Sequence, residues 1–107
     1  MKAAIALGVV TIALDATPLY EYSGGVMSTA DCPFVEFNHG VNAVGYNSEA
    51  NPPYFVMRNS WTTGWGEEGY FRLEMTADGT EGPCGFMGVD NSYPVLNLLS
   101  KTSKYLP

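Results

Sequence analysis

The segment Asn59 to Gly69 narrows the possible folds more than any other part of the chain. It reads N-S-W-T-T-G-W-G-E-E-G and holds both tryptophans, with glycines at positions 64, 66 and 69. Each glycine costs a helix interior roughly 1 kcal/mol relative to alanine, so so many in so short a span exclude a helix. A structured loop is expected instead. It lies between two runs that read as strands: Tyr54-Phe55-Val56-Met57-Arg58 before it and Tyr70-Phe71-Arg72-Leu73-Glu74-Met75 after it.

The remaining segments have the same character. Val9 to Leu14 is a strand-forming run, and Val41 to Tyr46 is another, closed by a polar loop from Asn47 to Pro53 with the turn signal Asn51-Pro52-Pro53. Those two prolines separate Val41–Tyr46 from Tyr54–Arg58 and make the pair a hairpin. Tyr20 to Ala30 reads as a loop with a short strand at its centre. Asp78-Gly79 and Glu81-Gly82-Pro83 turn the chain, and Val89 to Leu99 supplies a last strand and tail. Five or six short antiparallel strands with little helix point to a small barrel or rolled sheet.

Composition bounds the function. The 107 residues suit one domain, and 46% hydrophobic against 15% charged residues is enough apolar material for a core. A net charge of -6 disfavours phosphate binding, so nucleic acid is not expected as a partner. No segment reaches the roughly 18 to 20 apolar residues of a membrane span, and no membrane partner is expected. With 2 cysteines and 1 histidine there is neither a four-cysteine zinc site nor a histidine-rich cluster, so no metal or other cofactor is expected. The opening Met1-Lys2 and the apolar run to Leu14 have the outline of a secretory signal. They also read as a helix end, Met1 to Leu7, broken at Gly8 and feeding a buried strand, and that second reading is adopted.

His39, the only histidine, precedes the strand Val41–Tyr46. In a hairpin joined near Asn51, residues 39 to 41 lie opposite residues 58 to 60, which brings the Asn59 amide within reach of the imidazole. A histidine oriented by an amide oxygen beside an indole is the base-plus-orienter part of a nucleophilic catalytic site. Lone histidines are often merely structural, and both tryptophans could be ordinary core aromatics. Cys32 and Cys84 could be thiols, metal ligands, a disulfide or a nucleophile.

The motifs N-H-G-V-N-A-V-G-Y at 38–46, N-S-W-T-T-G-W-G-E-E-G-Y-F-R-L at 59–73, P-C-G-F at 83–86 and S-Y-P-V at 92–95 resemble the C-terminal half of a papain-like cysteine protease. The cathepsin L branch is closest in pattern. G-V-V-T-I-A-L-D-A at 8–16 and Y-S-G-G-V at 22–26 agree with it, so the resemblance runs over nearly the whole chain. It implies an α+β fold overall, of which this chain is the mainly β, antiparallel, barrel-like C-terminal half. The helical N-terminal half is not in this sequence.

By that resemblance His39 matches the catalytic histidine, which pairs with a thiolate and protonates the leaving amine. Asn59 matches its orienting asparagine, and Trp61 the indole that covers the bond between them. Trp65 matches an aromatic wall of the cleft. The Asn38 backbone would bind substrate, and Ala13, Gly40 and Val89 would line an apolar pocket for the second residue before the cut. Leu, Val or Phe is expected there rather than Arg. Cys32 and Cys84 match a disulfide pair, which implies an oxidising compartment: lysosomal, vacuolar or secreted.

The nucleophilic cysteine is missing. Neither cysteine has the C-G-[SA]-C-[WY] context of that residue, which the family places well over 100 residues before its histidine. The complementary half or a partner chain must bring it, and this chain alone should be inactive. Thr62 stands where the family usually has glycine, which puts the local turn in doubt, and Asn47 replaces another glycine. Two other readings are a non-catalytic homologue that binds peptides or protein partners, and a disulfide-bonded β domain unrelated to proteolysis.

Overall fold

A computed structural model describes residues 8–76 and 80–87 with, beyond them, the backbone of Tyr93–Pro94 and Tyr105–Leu106. Strands β1 (Val10–Leu14), β2 (Val26–Met27), β3 (His39–Asn47), β4 (Tyr54–Arg58) and β5 (Tyr70–Glu74) form one five-stranded sheet in the order β1-β3-β4-β5-β2. Two short 3-10 turns interrupt the loops, Thr17–Glu21 and Pro83–Gly85. Tyr93–Pro94 (β6) pairs with Tyr105–Leu106 (β7).

The two-residue period of a strand builds the core. Val10, Ile12 and Leu14 point inward from β1, Val41 and Ala43 from β3, Phe55 and Met57 from β4, and Phe71 and Leu73 from β5. Leu19, Phe86 and the Cys32–Cys84 disulfide complete it. The bond joins residues 52 apart in sequence, bringing the chain just before β3 against the Pro83–Gly85 turn.

The strands fall where the residue types put them, with three differences. β3 starts at His39, because β1 pairs with it as far as Leu14↔His39. β2 is the expected short strand within Tyr20–Ala30, but it runs parallel to β5, with Val26 opposite Arg72. The sheet is open, with β1 and β2 at its edges, rather than closed into a barrel. The helix end expected over Met1–Leu7 and most of the tail over Val89–Leu99 lie outside the described residues.

Within the β3–β4 hairpin the register slips at Val44. Ala43 faces Met57, and the next pair is Gly45 and Val56. This β-bulge sets an extra residue in β3 and increases the local twist. At the hairpin loop the Asn47 side chain accepts hydrogen bonds from the backbone N–H groups of Glu49 and Ala50. Asparagine stands in for glycine here by making that turn itself.

Candidate active site

Two inward positions at the open end of the hairpin are not apolar. Asn59 takes the next inward place after Met57 and is buried, 7% exposed. His39 takes the inward place before Val41 and is half-buried. The pairing Asn42↔Arg58 makes His39 and Asn59 diagonal neighbours on one face, one residue out of the register expected from the sequence. The ring and the amide meet there: His39 Nε2 lies 2.8 Å from Asn59 Oδ1.

The identity of that Asn59 atom follows from a second contact. The Ser60 backbone N–H donates to it over 2.8 Å, so it must be the acceptor oxygen. Nε2 of His39 therefore carries the proton and donates it, which leaves Nδ1 as the basic nitrogen of the neutral ring. Asn59 Nδ2 is buried without a hydrogen-bond partner. Asn59 itself is held by its backbone N–H on Gly69 C=O, which extends the β4–β5 ladder past its last pair.

Trp61 stacks on His39, with ring centroids 5.2 Å apart, and on Tyr20 at 4.7 Å. Trp65 meets Trp61 edge-on and packs on Tyr22 and Phe71, and its indole N–H donates to Leu19 C=O at 2.9 Å. Both tryptophans are half-buried, so they belong to the core and to the surface beside the histidine. Tyr20, 70% exposed, extends this aromatic row. A single tyrosine in a glycine-containing loop carries no sequence signal for that position.

The loop that carries both indoles is fixed by Glu67. It accepts two hydrogen bonds from Arg72, Nε to Oε1 at 2.9 Å and Nη2 to Oε2 at 2.8 Å, and a third from the Gly25 N–H. The Arg72 hydrogen bond holds the Glu67 carboxyl below its ordinary value against a smaller opposing effect of burial. Tyr22, beneath Trp65, donates its hydroxyl to Gly25 C=O. Burial, then the Glu67 charge, raises its phenol to about 12.

The other expected site residues are placed as follows. Ala13 and Gly40 are partners across β1 and β3, on the face away from the core. A recess of about 450 Å³ beside Gly40 is lined also by Thr11, Val41, Asn42, Arg58, Asn59 and Ser60. Val89 lies outside the described residues. Asn38 is exposed, and its backbone N–H donates to Leu14 C=O at 3.1 Å. Cys32 and Cys84 form a disulfide. Thr62 has φ 73°, in the left-handed region where glycine is favoured, so its place in the N-S-W-T turn carries backbone strain.

Comparison with known proteins identifies the chain's family. Residues 1–95 match the model of the papain family cysteine proteases. The chain is 45% identical over 94 residues to the KDEL-tailed cysteine endopeptidase CEP2 of Arabidopsis thaliana, covering 86% of this chain and 25% of that protein. It is 50% identical over 68 residues to cysteine proteinase A of Leishmania mexicana, covering 64% of this chain and 19% of that protein. Among solved structures, the bromelain protease of Ananas comosus in complex with the E64 inhibitor superposes with a TM-score of 0.74 at 32% identity, over 91% of this chain and 45% of that one. The chain thus spans a quarter or less of these two relatives. With the family model matched over most of its length, the chain belongs to the papain family of cysteine proteases.

Proposed function

We propose that this chain is the C-terminal half of a thiol protease domain and supplies the general acid-base of peptide-bond hydrolysis to a cysteine on the complementary half or on a partner chain. The observation that carries this reading is the Asn59 oxygen, which accepts hydrogen bonds from both His39 Nε2–H and the Ser60 N–H and so leaves Nδ1 to exchange a proton with a thiol. The steps follow from that tautomer. Nδ1 accepts the thiol proton, giving an imidazolium and a thiolate nucleophile. The thiolate attacks the carbonyl carbon of the substrate, and the imidazolium protonates the departing amine to leave a thioester. Nδ1 then takes a proton from the water that cleaves that thioester, releasing the acid and the thiol. Asn59 keeps the ring in its plane and tautomer throughout. Trp61, stacked on the ring, keeps water from the bond, which strengthens it.

Ala13 and Gly40 would present a small, uncharged surface to the second substrate residue before the cut. The exposed Asn38 backbone would bind the residue next to the cut. The Cys32–Cys84 disulfide supports a vacuolar, lysosomal or secreted location.

The test uses the complete protein with both halves present. His39→Ala is expected to lower peptide turnover by on the order of 10²- to 10⁴-fold while the thermal midpoint is kept. Undiminished turnover in that variant would sink the reading. A complete protein with neither turnover nor a thiol that a peptidyl alkylating reagent labels would leave the peptide-binding homologue in its place.

A further inference from the structure

Among the described residues only two polar side chains are buried, Asn59 and Asp15. The first orients His39, and the second has no part in the mechanism above. Asp15 follows β1 directly, is 1% exposed, and its carboxylate is saturated with donors. Oδ1 accepts from the Thr17 N–H at 3.0 Å and from Asn38 Nδ2 at 3.2 Å. Oδ2 accepts from the Val35 N–H at 2.8 Å and the Glu36 N–H at 3.2 Å. Asn38 is tied to the same corner twice more: its Oδ1 accepts the Ala16 N–H at 2.8 Å, and its N–H donates to Leu14 C=O. The next residue is His39, opposite Leu14 in the sheet.

One buried carboxylate therefore gathers three of the four residues that lead into the histidine. We infer that Asp15 is a positioning residue: by holding Val35, Glu36 and Asn38 it sets the place and direction from which His39 enters β3 and reaches Asn59. Without it, Val35 and Phe37, both exposed, leave their loop little apolar burial of its own. Backbone N–H groups turned away from water need acceptors, and Asp15 Oδ2 meets that need for Val35 and Glu36. The carboxyl is lowered from 3.8 to about 2: burial would raise it, and the hydrogen bonds from Thr17, Val35 and Glu36 together outweigh burial. It is thus a charged acceptor throughout the range in which a protease of this kind could work.

The kinetic side of this inference rests on the proposed protease activity, and the geometric side does not. Asp15→Asn keeps the shape but turns an N–H donor toward the backbone donors. Both it and the wild type are made as complete protein, with active sites counted by an irreversible thiol reagent. The His39 Nε2–H proton resonance, assigned by its loss in His39→Gln, is followed in parallel. Per active site, kcat/KM is expected to fall on the order of 10- to 100-fold, chiefly in kcat, with the Nε2–H resonance broadened toward exchange with water. A residue that only stabilises the fold would lower the count of active sites and leave the survivors with normal kcat/KM and a normal resonance. That result overturns the inference.

Should Asp15→Asn not fold, Asn38→Ala removes one of the four bonds to the carboxylate and spares the three from backbone. It is expected to shift both readouts the same way to a smaller extent, and wild-type values for both would refute the positioning role. If the wild-type protein turns over no peptide, the protease reading fails on its own account and the resonance alone decides the role of Asp15.

Discussion

Asn59 Oδ1 accepts two hydrogen bonds while its Nδ2 is buried with none. An unmet buried donor costs about 1–3 kcal/mol, a cost the site bears to keep the amide in one orientation. Asn59→Ala removes that donor along with the oxygen, so stability should change by less than about 1 kcal/mol while, on the proposed function, peptide turnover by the complete protein falls at least about tenfold. Denaturant titration beside steady-state kinetics checks it, and comparable losses in both would make Asn59 a structural residue. At Thr62 the sign is opposite. A β-branched residue at φ 73° is strained by about 1–2 kcal/mol, partly offset by the entropy glycine would lose, so Thr62→Gly should raise stability by roughly 0.5–1 kcal/mol. The sequence made the strain at Thr62 and the meeting of His39 with Asn59 legible, since both follow from local conformation and hairpin spacing. It left Asp15 hidden, because a carboxylate after a strand looks the same whether it faces water or a set of amides brought from 20 residues further along.

Among the elements, the loop between β4 and β5 owes its shape to glycine in a checkable way. A Cβ on Gly66, whose φ is 60°, would stand 2.7 Å from Tyr70 C=O and 3.2 Å from the Tyr22 ring. Gly66→Ala should therefore lose about 2–4 kcal/mol by denaturant titration, and a neutral result would mean the loop can move aside. The junction of β1 with the loop before β3 has its own signature in acid. Asp15 is lowered from 3.8 to about 2, burial opposing and the amide donors of Thr17, Val35 and Glu36 prevailing. A carboxyl lowered on folding contributes stability that is complete above about pH 4 and lost as the pH falls through about 2. The stability gap between wild type and Asp15→Asn should shrink over that window, and a gap independent of pH would show that charge is not what the corner requires. The inward alternation of β1, β4 and β5 could be read directly from side chains. The parallel pairing of β2 could not, since two residues joined to a strand more than 40 residues away carry no periodic pattern.

For the whole molecule, one covalent tie spans the distance between the approach to β3 and the Pro83–Gly85 turn. The Cys32–Cys84 bond closes a loop of 52 residues, worth on the order of 3–4 kcal/mol in the chain-entropy model. Reduction should lower stability by about that amount, and an unchanged denaturation midpoint would assign the core alone the task of closing the fold. Of the two forms the strands suggested, a small barrel or a rolled sheet, the sheet takes the open one; strand number and alternation are local properties and closure is not. The bulge at Val44 bears on how the chain tolerates change in length. Pairs before it sum one register, Ala43 with Met57, and pairs after it another, Gly45 with Val56. Deleting Val44 would join the two into an uninterrupted ladder, with His39 still on the side of Asn59 and Tyr46 still against Phe55. The strand can thus lose one residue and keep every side chain on its own face, giving up only the bend, so a Val44 deletion separates what the site owes to facing from what it owes to curvature.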